Sequence, residues 1–344
     1  MLGRRGLIFL GAMVSVLMLA LSSLPATGHS PAFPSSNTSI ETAWEVHDPS
    51  KSWAIYTTLP EGKAHYYKMD LQKGDRILIN LIIPVKEHER GFLPVMTLIG
   101  PGLTAGQALP SLIEVPDGLG HVYVPSDHDG DPEFEPFSPG TYVKVSSLDM
   151  DAPEGGTYYV AVWEHPSSPG KGGNYAFPVG FKESFTFEEI VLIPFSLLKV
   201  YVWEGQEQSL TMLPMVVMLI LGFFVFLWKR YELIPRMRML HYSAYFAGLL
   251  IAGSGLVTTV QLIRSVMEVP IDGMVLVTLS IIFVQIGIGV YLVRSGYTGK
   301  KMTTAARAVM FLMGIVALLA WAGYIIGPAM AMIGSLLPAE RRGG

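Results

Sequence analysis

Hydrophobic positions along this chain follow two patterns. Between Trp53 and Gly180 they fall in short runs, WAIYTTL, AHYYKMDL, DRILINLII, VMTLIG, HVYVP, TYVKVSS, TYYVAVWE and NYAFPVGF, separated by the turn sequences PEG, QKGD, GPG, PDG and PEGG. Runs this short, rich in Tyr, Val and Ile, predict the strands of an antiparallel sandwich or jelly roll, and none is long enough to cross a bilayer. Past Gln208 the pattern changes to four long apolar segments, at residues 210–228, 240–263, 274–293 and 305–326. Each reaches the ~20 residues that a helix needs to cross a hydrocarbon core of ~30 Å. The expected fold class is mixed: an N-terminal antiparallel β-sandwich or jelly roll, then a C-terminal all-α transmembrane bundle of about four spans.

The flanking segments complete the expected organisation. Arg4 and Arg5, the apolar stretch at 7–21 and the sequence SSLPATG have the layout of a secretory signal peptide over residues 1–28, with an uncleaved anchor helix as the alternative. Residues 29–50 include PAFPSSNTS and read as a flexible lead-in, where Asn37-Thr38-Ser39 fits the N-glycosylation pattern. The β domain is expected over 51–183. Thr186 followed by Glu189 is a capping-box pattern opening FEEIVLIPFSLLKVYVW. Residues 184–208 are therefore expected to form a juxtamembrane amphipathic helix, with a last strand or a connector as the alternative. Tyr201 and Trp203 suit the headgroup level. The bundle occupies 209–336 and a tail 337–344.

Composition and charge sharpen this division. Apolar residues make up 50% of the chain and charged residues 15%, a membrane-like balance. The formal charge of −4 hides an asymmetry, since residues 29–208 hold 24 acidic and 11 basic side chains, whereas 209–344 hold 4 and 11. The acidic half has no basic patch, which argues against nucleic acid as a partner. With no cysteine, disulfides, thiolate metal sites and cysteine nucleophiles are all excluded. Lys229, Arg230, Arg236 and Arg238 lie between the first and second apolar segments, and Arg294, Lys300, Lys301 and Arg307 between the third and fourth. The positive-inside rule makes both loops cytoplasmic and the β domain extracytoplasmic, in a multi-pass protein of the cell membrane. A tail carrying Arg341 and Arg342 then falls outside, against the same rule, and Gly327-Pro328 is a place where the last helix can break.

Two stretches of the β region carry a resemblance. LPEGKAHYYKMDLQKGDRILINL, followed much later by APEGGTYYVAVWE and GGNYAFPVGF, resembles the pre-peptidase C-terminal type of β-sandwich, with its Tyr-bearing strand, Gly-Asp turn and closing Gly-Thr-Tyr-Tyr strand. The resemblance covers a little over a third of the chain. It implies a small exported jelly roll serving as an accessory binding or folding module. The chain departs from that pattern by a long insertion around GFLPVMTLIGPGL, by an acidic segment at 127–135, and by carrying the module on a membrane bundle.

Candidate chemistry is sparse. No ionisable group falls near the centre of an expected span, where such groups mark transport or catalysis. The central polar residues, Ser254, Thr258, Thr259, Gln261, Ser280 and Gln285, are expected to bond between helices, and Ala244, Gly248 and Ala252 to form a close-packing face. Asp127, Asp129, Asp131, Glu133 and Glu135 alternate as carboxylates that can ring a calcium ion, or simply form a solvated acidic loop. Cleavage after Gly28 leaves His29 as an N-terminal histidine, able with His121 or His128 to bind copper. Trp44, Trp53, Tyr66, Tyr67 and Trp163 can supply an aromatic ligand-binding face or pack inward. No catalytic residues are recognisable. The leading expectation is a non-enzymatic membrane protein whose β-sandwich binds a glycan, a surface protein or a partner subunit outside the cell, with possible homo- or hetero-oligomers through its helices. A subunit of a membrane metalloenzyme or copper-handling complex, and an oligomeric small-solute transporter component, are the rivals.

Overall fold

A computed structural model describes residues 29–338 except 105, 169, 235 and 236, together with positions 8, 11 and 15. The expected signal peptide, its cleavage point and residues 339–344 of the tail lie outside the described residues.

All eight short runs form strands: β3 (Trp53–Leu59), β4 (Ala64–Leu71), β5 (Arg76–Pro84), β6 (Pro94–Gly100), β7 (Gly120–Val124), β9 (Gly140–Asp151), β10 (Gly156–Glu164) and β11 (Gly173–Val179). Three more appear, β1 (Ser30–Ala32), β2 (Trp44–Glu45) and β8 (Pro132–Glu135). The strands make a six-stranded sheet in the order β1-β3-β11-β5-β9-β8 and a five-stranded sheet in the order β2-β4-β10-β6-β7. Inward residues of both sheets meet in one core, with Ile77, Ile79, Leu81 and Ile83 of β5 opposed to Tyr67, Met69, Val160 and Val162. Tyr67 and Phe177 stack across it with ring centroids 4.3 Å apart. The Tyr67 and Tyr175 hydroxyls bond at 2.7 Å, and His65 Nδ1 lies 3.0 Å from the Tyr175 hydroxyl, so the polar tips of the core are satisfied among themselves.

The lead-in is not loose. β1 pairs in parallel with β3 and β2 with β4, so residues 30–45 close the open edges of both sheets. Asn37 is 1% exposed, and its Nδ2 donates to the Tyr66 carbonyl at 3.2 Å. A glycan on that nitrogen is incompatible with this packing, so the sequon is structural. The long insertion also folds onto the sandwich. Leu109, Ile113, Val115 and Leu119 cover the outer face of the five-stranded sheet around Tyr66, Val95 and Trp163.

A short helix, α1 (Val85–Glu89), follows β5. The capping-box segment is a helix, α2 (Phe187–Trp203), with the Thr186 side chain accepting from the Glu189 N–H and Glu189 accepting from the Thr186 N–H. Three helices are long and apolar enough to cross a membrane: α3 (Gln208–Trp228), α5 (Met239–Glu268) and α6 (Val275–Tyr297), with the short α4 (Arg230–Leu233) between the first two. The expected small-residue face is the α5–α6 contact. A Cβ on Gly248 would lie 2.5 Å from the Val293 nitrogen, and one on Gly289 would lie 2.6 Å from the Ala252 nitrogen. Backbones this close leave room for no side chain.

The fourth expected span is corrected. Residues 305–326 do not form one helix but α7 (Thr304–Leu319), a turn, and α8 (Ile326–Leu336), which doubles back along α7. Arg307 at the start of α7 donates from Nε to the Ser335 carbonyl at 2.7 Å and from a terminal nitrogen to the Leu337 carbonyl at 2.8 Å, which pins the end of α8 beside the start of α7. At ~1.5 Å per residue α7 is about 24 Å long, short of the hydrocarbon thickness. Gly323, Tyr324 and Ile325 turn the chain at φ 76°, 51° and 65°. Left-handed backbone is costly for a β-branched residue such as Ile325. It is held by Gln285 Nε2 donating to the Ala320 carbonyl at 2.9 Å and by the Ser254 hydroxyl accepting from the Gly323 N–H at 2.9 Å.

Candidate junction site

The sandwich is bolted to the helices, not tethered to them. Helix α2 lies on the outer face of the six-stranded sheet, where Val200 and Trp203 pack with Ile82, Ala176, Phe33, Tyr56 and Tyr142. Trp203 Nε1 donates to the Tyr175 carbonyl at 3.0 Å, and Asn174 Nδ2 donates to the Trp203 carbonyl at 2.7 Å. Lys51 and Glu189 pair at 2.5 Å near the start of the helix, and Lys51 also stands 4.2 Å over the Trp53 ring. The loop after β8 enters the bundle, where the Thr278 hydroxyl donates to the Pro136 carbonyl at 2.6 Å and Phe137 meets the Trp321 ring edge-on. The Thr141 hydroxyl donates to the Glu268 carboxylate. Gln206, just before α3, exchanges amide bonds of 2.9 Å in both directions with Gln261 of α5.

Between the sheet and the end of α2 this arrangement leaves a cavity of about 300 Å³, walled by rings from Tyr56, Tyr142 and Trp203 and by carboxyls from Glu133, Glu135 and Glu204. Alternation puts Glu133 and Glu135 on one face of β8, and both also line a second cavity of about 430 Å³ against the α5–α6 connection. Burial raises Glu135 to about 7, with the Phe137 and Ser138 N–H groups pulling the other way. Burial also lifts Glu204 well above the usual carboxyl range. The nearby Glu268 and Glu135 charges add to this, while the Gln206 hydrogen bond and Arg264 oppose it. Burial pushes the Tyr56 and Tyr142 phenols far up as well. Lys144 is the cavity's ammonium and stands 3.6 Å from Glu133, whose other oxygen accepts from the Tyr142 hydroxyl at 3.2 Å. The Tyr56 hydroxyl makes no hydrogen bond to another described residue. Ion-pair chemistry inside is thus used on Glu133, and among the described residues neither Glu135 nor Glu204 forms an ion pair, although Arg264 acts on Glu204 from a distance.

The residues singled out in the sequence separate widely. His29 does line the junction cavity, with Nδ1 2.5 Å from the Ser52 hydroxyl, and burial lowers its pKa, so the ring is neutral. His121 bonds to the Gln107 carbonyl, while the His128 ring packs near that of His88 at 5.8 Å, so neither joins it. Of the acidic segment, Asp127 accepts from the Asp129 N–H and Glu135 from the Phe137 N–H. Among the described residues no three His, Asp or Glu side chains come together as a metal site, so neither the calcium ring nor the copper set is assembled. The aromatic face is corrected too. Tyr66 and Tyr67 are 0% exposed and Trp163 5%: alternation turns Tyr67 into the core between the sheets, Tyr66 and Trp163 lie on the outer face where the insertion covers them, and Trp44 and Trp53 are half-buried against the core. Sequence reasoning missed Tyr56, Tyr142 and Glu204. The one available signal was Glu204 directly after Trp203 at the end of an otherwise apolar helix face.

No family model matches the chain, and no curated protein does. Among solved structures, one similar over part of the chain is CorA, a surface-associated copper-binding protein of Methylomicrobium album BG8. It shows 15% identity, a TM-score of 0.22, and coverage of 46% of this chain and 100% of that one. A likeness that slight carries no argument about fold, metal or role.

Proposed function

We propose that this chain is a membrane-anchored, extracytoplasmic binding protein, in which the helices hold a β-sandwich of jelly-roll order rigidly at the membrane surface and the junction cavity is the ligand site. The observation that carries this reading is the cavity itself: rings and carboxyls without an ion-pair partner line an open space between the six-stranded sheet and the end of α2, beside the membrane bundle. A protein that needed only an anchor would gain by filling it. The alternation of successive strands between the two sheets, from β3 and β4 through β9 and β10 to β11, supports the jelly-roll reading and with it the accessory-module role that the pre-peptidase resemblance implies.

Orientation follows from charge. The sandwich contacts the Glu268 end of α5 and the Thr278 end of α6, whereas the basic clusters at 229–238 and 294–307 sit at the opposite helix ends. The positive-inside rule then makes the sandwich extracytoplasmic. The α7–α8 hairpin supports this orientation, because Leu337 lies beside Arg307, at the basic end of the bundle. A glycan laid across exposed aromatics is less favoured, since three of those five rings are interior.

The cysteine-free chain makes the test direct. Single substitutions Asp117→Cys, on the sandwich, and Lys300→Cys, in the α6–α7 connection, are to be probed with a membrane-impermeant maleimide. We expect labelling of the first in intact cells and of the second only after lysis. The reverse pattern rejects the proposed placement, and a chain recovered without detergent rejects the anchor.

A further inference from the structure

We infer that the junction cavity binds a small organic cation, an ammonium group on a short apolar stem, received by Glu135 and Glu204 and enclosed by the rings of Tyr56, Tyr142 and Trp203. The inference rests on the cavity being the ligand site and names what that site takes. Its acids outnumber its bases, because Lys144 is engaged by Glu133 and His29 is neutral. An anion therefore meets no free positive charge in the cavity. A bare metal ion would find no three-ligand set among the described residues. An alkylammonium needs neither, since a carboxylate supplies the charge and flat rings supply both apolar contact and quadrupole attraction. A volume of about 300 Å³ sits at the lower end of small-molecule sites, which suits a short stem. Half-buried Tyr56 lines the same space, and its hydroxyl, with no hydrogen bond to another described residue, is a further acceptor there.

The proton is the built-in competitor. Glu135 shares its two cavities with Glu133 of its own strand, Lys144 and Tyr142 of β9, Tyr56 of β3, Glu204 just after α2 and Asp272 of the α5–α6 connection, with Tyr201 of α2 nearby; the one ammonium, Lys144, pairs with Glu133 and none pairs with Glu135. Near neutrality it holds a proton for about half the time, and a bound ammonium must displace that proton. Binding accordingly tightens as pH rises through 7.

The test uses the full-length chain in nanodiscs and titration calorimetry with 1,4-diaminobutane, which stays fully charged across the range, against neutral 1,4-butanediol. We expect the diamine to bind about tenfold tighter at pH 8 than at pH 6, as competition by a single proton requires. The diol should not bind. Glu135→Gln should weaken diamine binding at pH 8 and flatten the pH response, and Ala54→Leu, which projects into the cavity, should abolish it. A thermal melt confirms that each variant is folded. Equal binding of diol and diamine, or an unchanged pH response in Glu135→Gln, overturns the cation assignment while leaving the cavity as a site. Diamine binding that survives Ala54→Leu moves the site elsewhere and overturns both readings. No binding by either solute overturns the cation assignment alone.

Discussion

The junction cavity and the core of the helix bundle both enclose polar side chains and treat them in opposite ways. In the bundle each polar group has a neighbour cut to it. Thr258 donates to Gln285, Gln285 donates to the Ala320 carbonyl, and Ser254 holds the Gly323 N–H. At the junction, Glu135 and Glu204 accept from the Phe137 N–H and the Gln206 amide but have no ion-pair partner and line open space, and the Tyr56 phenol has no hydrogen-bond partner among the described residues. The lesson is that burial of a polar group does not by itself mark a site. Groups whose partners close around them are architecture, whereas carboxyls beside a void with no ion-pair partner are available for a ligand.

The comparison can be broken most forcefully in the bundle. Gly289→Leu would drive a side chain into the α5 backbone at Ala252, and we expect a loss of more than about 3 kcal/mol, or no folded protein, in detergent melts. At the junction the sign is reversed. A carboxyl whose folded pKa is raised keeps its proton after the unfolded chain has lost one, so raising the pH from about 4.5 to about 7 destabilises the fold, by at most roughly 3 kcal/mol for Glu135. The raised Glu204 acts in the same direction. Unfolding at pH 5 and pH 8 should show this slope, and Glu135→Gln should lose most of it while gaining stability at pH 8. A slope of the opposite sign would mean that the cavity is already neutralised by a cation.

Removing a satisfied group should cost less than the glycine clash but never stabilise. Gln285→Leu leaves the Ala320 carbonyl without the Gln285 amide and the Thr258 hydroxyl with only the Ser254 carbonyl, for an expected loss of about 1–3 kcal/mol, read as a lower melting temperature and faster proteolysis at residues 320–325. The smallest effect is at the edge of the junction. Thr186→Ala removes the cap of α2 and should cost about 1 kcal/mol, without altering the cavity.

What the sequence determined by itself was everything that depends on local periodicity. Alternating runs defined eight strands, the capping box opened α2, and uninterrupted apolar stretches became three long helices, because each signal is a repeat within one segment. The close face at Ala244, Gly248 and Ala252 was also legible, since spacing of four puts small residues on one side of a helix. Tertiary structure decided the rest. The lead-in became β1 and β2 because sheet edges elsewhere offered it partners, and the fourth apolar segment folded back because Gln285, Ser254 and Arg307, distant in sequence, stabilise its turn and its end. The junction cavity exists only where β3, β8, β9 and α2 converge, so Tyr56, Glu135, Tyr142 and Glu204 share no spacing by which they could be read together. A pattern within one segment reports which face is buried, whereas the residue it is buried against belongs to another part of the chain.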